Sequence, residues 1–541
     1  MRQLTRFGKK GKELVNIKEA SEWGSQYLNR RVTISNISYL LQYGRIKKYL
    51  PAEAQAGGNN GTPLINLKEL QDYYDSFDKE KQWKEKLGED IDWHLSFVEY
   101  KESERTKHVH RLHPCKGKFI PQLVEYFLDS NTDEFKKEVY FRKGDIVLDP
   151  FCGSGTTLVQ ANELDIHAIG IDISSFNVMI SNVKIEKHNL PLLAEANHKL
   201  TSKLEDFQKT KKNIAFEDHL LSELSNFNSK HFPSPEYRKK VRKDEINEKE
   251  YAKEKETEFL DIYNVLVKKY RIKIKQGKDE NFLDKWFLAP VREEIDFLFQ
   301  ELKSIKNTHV KKVLAIILSR TVRSCRATTH ADLGTLKEPV TTTYYCKKHG
   351  KICKPIFSIA GWWQRYTVDT LVRIREFDKL KTETFQISLI GDSRTIDIYE
   401  ETKKRNPKFA KILSKQKIRG IFSSPPYVGL IDYHEQHAYA YEIFGFKRKD
   451  ELEIGPLVKG QGREARDHYI QGIAKVLKNC KRYFQNDYDV FLVANDKYNL
   501  YPKIAELAEM EIVNKFKRPV LNRVEKDRSA YAESIFHLRE K

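Results

Sequence analysis

The apolar positions of the chain change period several times, and each change marks a candidate element. Ile17, Ala20, Trp23, Tyr27 and Leu28 recur at helical spacing. Asn29-Arg30-Arg31 breaks that pattern, and Thr33 or Ser35 is placed to cap a second helix carrying Ile37, Leu40 and Leu41 and ended by Gly44. A basic segment from Arg45 to Lys48, a loose Gly57-Gly58-Asn59-Asn60-Gly61 loop, Leu64-Ile65 and a third helix from Leu67 complete a unit over residues 1–78. Residues 79–91 are densely charged and predict a linker. From Asp92 the chain is amphipathic again. It then reads as a strand at Ile146-Val147-Leu148-Asp149, a glycine-containing turn, a helix from Leu158 to Leu164, and a second strand at Ala168-Ile169-Gly170-Ile171 that ends at Asp172. That is a β-turn-α-β unit of a doubly wound α/β sheet.

Roughly 200 residues follow before the strand pattern returns. Helical periodicity dominates them, with Val313-Leu314-Ala315-Ile316-Ile317-Leu318 the strongest apolar stretch, then a polar irregular run from Cys325 to Ser358. Strands resume at Phe385 to Ile390, at Gly420-Ile421-Phe422 and at Asp489 to Val493, with a helix around Ile470 to Tyr483. A terminal antiparallel pair is expected around Ile512 to Phe516 and Glu533 to Leu538. The expected organisation is a core in two halves, 92–184 and 385–541, separated by an inserted, mostly helical region, 185–384.

Charge and cysteine usage narrow the class. The 541 residues carry 96 Lys+Arg against 77 Asp+Glu, a formal charge of +19, which favours a polyanionic partner, most simply nucleic acid. The six cysteines are scattered, unlike a secreted disulfide framework. No apolar run reaches the length of about 20 residues that a membrane helix needs. The basic start of the chain leads into no apolar signal core, so a cytoplasmic protein is expected.

Three stretches carry candidate chemistry. In the first, Asp149-Pro150-Phe151-Cys152-Gly153-Ser154-Gly155-Thr156-Thr157, the glycines let backbone amides approach a ligand, and the following helix adds partial positive charge. Asp172 is placed to accept from ribose hydroxyls. The spacing suits a nucleoside without a pyrophosphate, and there is no G-K-[ST] of a phosphate-binding loop. In the second, Ser423-Ser424-Pro425-Pro426-Tyr427 follows a strand end. Two prolines fix φ and remove two donors, leaving rigid oxygen acceptors beside an aromatic ring, which suits a planar base with an exocyclic amino group. In the third, Cys346, His349 and Cys353 have spacing for one tetrahedral zinc, with Cys325 as a fourth ligand and His330 also upstream.

These motifs resemble those of S-adenosylmethionine-dependent amino-methyltransferases acting on DNA, the N4-cytosine and N6-adenine family of restriction-modification systems. Asp149 to Thr157 looks like the cofactor motif and Ser424 to Tyr427 like the catalytic motif. His113 to Pro121 is similar to the segment that closes over the methionine end. The resemblance covers roughly 92–184 and 385–541. It implies a Rossmann-like methyltransferase sheet in which Phe151, Gly153, Gly155 and Thr156 shape the cofactor turn. Asp172 then holds the ribose, Asp392 the adenine amino group, and Phe119 and Pro121 border the methionine. Ser424, Pro425, Pro426 and Tyr427 would take a base flipped out of double-stranded DNA. Serine at the first position of that turn is commoner in N4-cytosine enzymes, so cytosine is expected and adenine is the alternative. RNA or protein methylation, or a non-catalytic DNA-binding regulator, are further readings. No nuclease pattern is evident, so a cognate restriction endonuclease would be a separate chain. The first unit resembles a winged helix-turn-helix of the MerR or excisionase type, which implies DNA contact by Ser35, Asn36 and Tyr39 on the second helix and by Arg45 after it.

Overall fold

The computed structural model describes residues 14–42, 46–49, 63–75, 79–98, 100, 102–115, 117–133, 135–277, 280–330, 336–430, 432, 434–521 and 530–541. Near the start, β1 (Leu14–Asn16) pairs antiparallel with β2 (Leu64–Asn66). Helices Ile17–Tyr27, Ile34–Gln42 and Leu67–Asp75 pack on this pair through Ala20, Ile37, Leu40, Leu41, Ile65 and Leu70. The first helix starts at Asn16, whose side chain accepts from the Glu19 amide while Glu19 accepts from the Asn16 amide. Arg45 and the Gly57–Gly61 loop lie outside the described residues. The charged segment 79–91, expected as a linker, contains a helix, Lys79–Leu87. Trp83 is buried there and Lys84 pairs with Glu80 one turn away, which is enough to organise a sequence that otherwise reads as polar.

The central sheet begins with β3 (Ile146–Asp149) and β4 (His167–Asp172). After the inserted region, which carries a small hairpin of β5 (Tyr344–Cys346) and β6 (Lys351–Cys353), come β7 (Gln386–Ile390), β8 (Ile418–Ser423), β9 (Phe484–Ala494), β10 (Met510–Pro519) and β11 (Ala532–Glu540). Seven of these strands form one sheet in the order β10-β11-β9-β8-β3-β4-β7. The five from β9 to β7 run parallel, and β11 and β10 are antiparallel additions at one edge. Alternation along β3 shows why both faces are covered. Val147 points into a cluster with Leu123, Phe127, Leu158 and Phe422, and Ile146 and Leu148 point into another with Phe409, Ile421, Ile473 and Leu477.

Among the described residues, the inserted region contributes eight helices, from Leu190–Lys209 to Ala360–Asp378. They share one continuous apolar cluster with Phe176, Ile180 and Val183 of the helix that follows β4, and with Tyr439 and Ile443 of the helix Ala438–Phe444. The insertion is therefore packed on the sheet's own helices, close to the strand ends.

Candidate active site

In an open parallel sheet, ligands sit beyond the strand C-termini where successive connections leave in opposite directions. Here that point lies between β3 and β8, paired at Val147 with Gly420 and at Leu148 with Ile421. β3 connects through the helix Thr156–Glu163 to β4 on one side, while β8 lies on the other.

A cleft opens there. It holds about 1080 Å³ of empty space when the open solvent at its mouth is counted. Its lining includes Phe119, Asp149, Phe151, Gly153, Thr156, Asp172 and Asp392 from the expected cofactor set, and Ser424 and Pro426 from the expected catalytic set. Gly155, Pro121, Pro425 and Tyr427 are not among the lining residues. Gly155 caps the helix with φ +76°, a left-handed conformation, and a Cβ there would meet Ser181 at 3.0 Å. Pro121 is the buried first residue of the helix Pro121–Leu128. Tyr427 donates from its hydroxyl to Glu533 Oε1 on β11 at 2.8 Å.

Two carboxylates organise the cleft. Asp149 Oδ1 accepts from the Ser423 hydroxyl at 2.5 Å and from the Phe151 amide at 3.2 Å, which fastens the glycine turn to the end of β8. Burial pushes its carboxyl up to about 6. Asp172 accepts from the Gly153 amide at 2.9 Å and the Ser174 amide at 2.8 Å, and Asn177 Nδ2 lies 3.3 Å from both its oxygens. Burial also pushes Asp172 up to about 6. These four contacts occupy its lone-pair sites, and the two from the single Asn177 amide, at 3.3 Å, are the longest and the ones a ligand hydroxyl would displace. Asp392 is gripped by Arg394, with Nε 2.9 Å from Oδ1 and 3.0 Å from Oδ2, and Arg394 in turn donates to the Leu452 carbonyl. Ser424 donates its hydroxyl hydrogen to the Val493 carbonyl at 3.0 Å, which leaves its oxygen lone pairs as what it can offer a ligand.

Sequence reasoning missed the opposite wall. His434, Gln436, His437, Glu453 and Ile454 line it. His434 Nδ1 lies 2.5 Å from the Tyr441 hydroxyl, which is 2.6 Å from Ser174 Oγ, and the Glu453 carboxylate accepts from the His434 amide at 3.1 Å. Burial raises the Glu453 carboxyl to about 7. His434 and His437 stand in an aromatic, histidine-rich run, but that sequence carries no motif that assigns it to the cleft. Cys152 is buried, 3.7 Å from Ser181 Oγ, and burial drives its thiol well above the usual range, consistent with packing.

Elsewhere, Ser35, Asn36 and Tyr39 stand exposed on the helix Ile34–Gln42. Asn36 Oδ1 accepts from the Thr33 amide and hydroxyl at the helix start. Cys346, His349 and Cys353 come together, but Cys325 does not join them. It is buried at the C-terminal end of the helix Thr308–Ser324, inside the large helical core, and His330 takes the fourth place.

Comparison with known proteins fits this geometry. A family profile described as DNA methylase matches residues 25–183. The type II methyltransferase M.MjaII of Methanocaldococcus jannaschii is 45% identical over 534 residues, covering 98% of this chain and 97% of that protein. The chain belongs to the DNA methylase family. M.MvaI of Kocuria varians, also a type II methyltransferase, is 30% identical over 107 residues, 20% of this chain and 22% of its own. Among solved structures, the rRNA methyltransferase aviRa of Streptomyces viridochromogenes aligns over 82% of this chain and 94% of its own, at 9% identity and a TM-score of 0.28, too low to carry an argument. As a DNA methylase of the N4/N6 kind, this restriction-modification methyltransferase acts on DNA, and its family implies S-adenosylmethionine as the methyl donor. The cleft suits that group: it joins backbone amides at left-handed glycines, an aromatic ring at Phe119 and carboxylates at Asp172 and Asp392. Among the described residues no helix is long and apolar enough to cross a membrane.

Proposed function

We propose that this DNA methylase transfers a methyl group to the N4 amino group of cytosine in a base flipped out of the duplex. The observation that carries the reading is that the turn at Gly153 and the hydroxyl of Ser424 line one cleft, fastened together by the Asp149–Ser423 hydrogen bond. In this reading Gly153, Gly155, Phe151 and Thr156 shape the cofactor turn, Asp172 accepts from the ribose, and Asp392 from the adenine amino group. Phe119 and Pro121 border the methionine end. Bound there, S-adenosylmethionine supplies a methyl group already activated by its sulfonium.

The chain's own task is to make a poor nucleophile reactive. The lone pair of an exocyclic amino group is delocalised into the ring. The Ser424 oxygen and a carbonyl of the Pro425–Pro426 turn accept its two hydrogens, favour pyramidal nitrogen and stabilise the charge that develops there. Because the Ser424 hydrogen is held by Val493, the oxygen meets the amino group as an acceptor. Tyr427 is the proposed stacking surface for the base, with its ring fixed through Glu533. A neutral hydroxyl is a weaker acceptor than a carboxylate, and this suits cytosine, whose amino group is the easier to polarise.

Residues Ser35, Asn36, Tyr39 and Arg45 are proposed to contact double-stranded DNA. The target sequence is proposed to be read by the insertion 185–384, and cleavage of unmodified DNA belongs to a separately encoded endonuclease. The test is mass spectrometry of nucleosides from DNA methylated by the purified protein. N4-methylcytosine is the expected product, and N6-methyladenine without N4-methylcytosine would overturn the choice of base.

A further inference from the structure

The hairpin β5–β6 is three residues long on each side, too short to be stable by itself in water. It follows a run from Arg326 to Thr343 in which no helix or strand occurs among the described residues. Four side chains nonetheless converge on it. One ligand atom from each of His330, Cys346, His349 and Cys353 lies within 4.8 Å of all the others. We infer that these four residues form a structural zinc site that pins the irregular stretch to the hairpin.

The geometry fits in three respects. A tetrahedral zinc with bonds of about 2.3 Å to sulfur and about 2.0 Å to nitrogen holds those two atoms about 3.5 Å apart. His349 Nδ1 and Cys353 Sγ are 3.5 Å apart. The Tyr344 hydroxyl oxygen accepts from the His330 amide and lies 2.9 Å from His330 Nδ1. That is the outer-shell bond that fixes a ligating ring and leaves Nε2 for the metal. The donor set, two sulfurs and two imidazole nitrogens with no carboxylate, selects zinc over magnesium or calcium.

The surroundings suit a fixed, uncharged centre. Cys346 and Cys353 are buried and His349 is exposed, which gives the metal a route in. Two thiols lose their protons to solvent on binding, so the dication and two thiolates sum to zero beside Lys347, Lys348 and Lys351. The hairpin itself is docked on the helical scaffold. Asn228 exchanges hydrogen bonds with both backbone groups of Ile352, at 2.9 and 3.0 Å, and Arg238 donates to the Lys347 carbonyl. None of the four ligands lines the active-site cleft, so the site's work is structural.

The experiment uses the full chain without an affinity tag, produced with zinc and dialysed against metal-free buffer. Elemental analysis is expected to find about one zinc per chain. Replacing zinc by cobalt is expected to give the visible bands of a tetrahedral thiolate centre. The pair C346S/C353S, and H330A alone, lose the metal, whereas C325S keeps it. A metal-free wild-type protein that gives no cobalt spectrum would overturn the site. Loss of zinc in C325S with retention in H330A would overturn the ligand set. If the double variant fails to fold, the wild-type cobalt spectrum and H330A still decide. A chelator should lower the wild-type Tm and added zinc should restore it, and an unchanged Tm counts against the structural role.

Discussion

At the scale of single residues, the cleft separates groups that bind from groups that activate. Ser424 belongs to the second kind. Replacing it by alanine removes one acceptor for the amino hydrogens and leaves the turn at Gly153 untouched. The expected result is a fall in kcat on the order of 100-fold with little change in S-adenosylmethionine affinity. Steady-state kinetics and calorimetry on S424A read the two effects apart, and a matching loss of cofactor affinity would move Ser424 to the binding side. Asp172 belongs to the first kind, and its burial adds a pH signature. A carboxyl raised to about 6 is protonated below that pH and has less capacity to accept from ribose hydroxyls. Affinity for S-adenosylmethionine therefore rises as pH climbs from about 5 to about 7, and the slope disappears in D172N. Any slope left in that variant belongs to Asp149 or Glu453, which burial raises to about 6 and about 7. The stability linkage has the opposite direction. Both acids hold their protons more tightly when folded, so their contribution to stability falls as pH rises from about 4 to about 6.

At the scale of elements, the turn between β3 and its helix sets the cofactor wall, and Gly155 is where a side chain would do most damage. Alanine there must adopt φ +76°, at a cost of about 1–2 kcal/mol, and its Cβ must displace Ser181. G155A should show a lower denaturant midpoint and weaker cofactor binding together, and an unchanged midpoint would mean that the turn relaxes freely. This turn was legible in the sequence because its chemistry is local: glycines, a preceding strand and a following helix lie within about one βαβ unit. The Ser424 turn was legible for the same reason, since two prolines stiffen any backbone. What the sequence did not disclose was how the turns are joined. The Asp149–Ser423 bond spans 274 residues and the Tyr427–Glu533 bond spans 106. Such pairs are set by strand order, which one sequence does not reveal. The fourth residue of the Cys/His cluster was misjudged on similar grounds. Cys325 was the chemically obvious partner, but its place at the end of a buried helix turns it into the core, and the chain continues five residues further to His330 before it meets the hairpin.

At the scale of the whole molecule, the parallel sheet supplies a cofactor cleft, and the chain as a whole carries a formal charge of +19. Binding of DNA and binding of cofactor should respond differently to salt. Each phosphate contacted by a Lys or Arg releases counterions, so DNA affinity should fall by about 1,000-fold or more between about 50 and 200 mM salt if six or so contacts form. S-adenosylmethionine enters through a few amides and carboxylates and should be nearly indifferent over that range. Removing residues 1–78 then asks where the DNA contacts lie. The helix Ile34–Gln42 exposes Ser35, Asn36 and Tyr39, and its unit has its own small core around Ile37 and Leu70. Its loss leaves the cluster shared by the insertion and the sheet helices intact, so the truncated chain should fold and bind cofactor as before. If the unit clamps the duplex while the insertion reads it, the truncated chain binds all DNA more weakly, with a shallower salt slope, and methylates the same sequence. Filter binding across a salt series, with sequencing of the methylated product, measures both. Methylation at new sequences would instead assign the reading to the N-terminal helix.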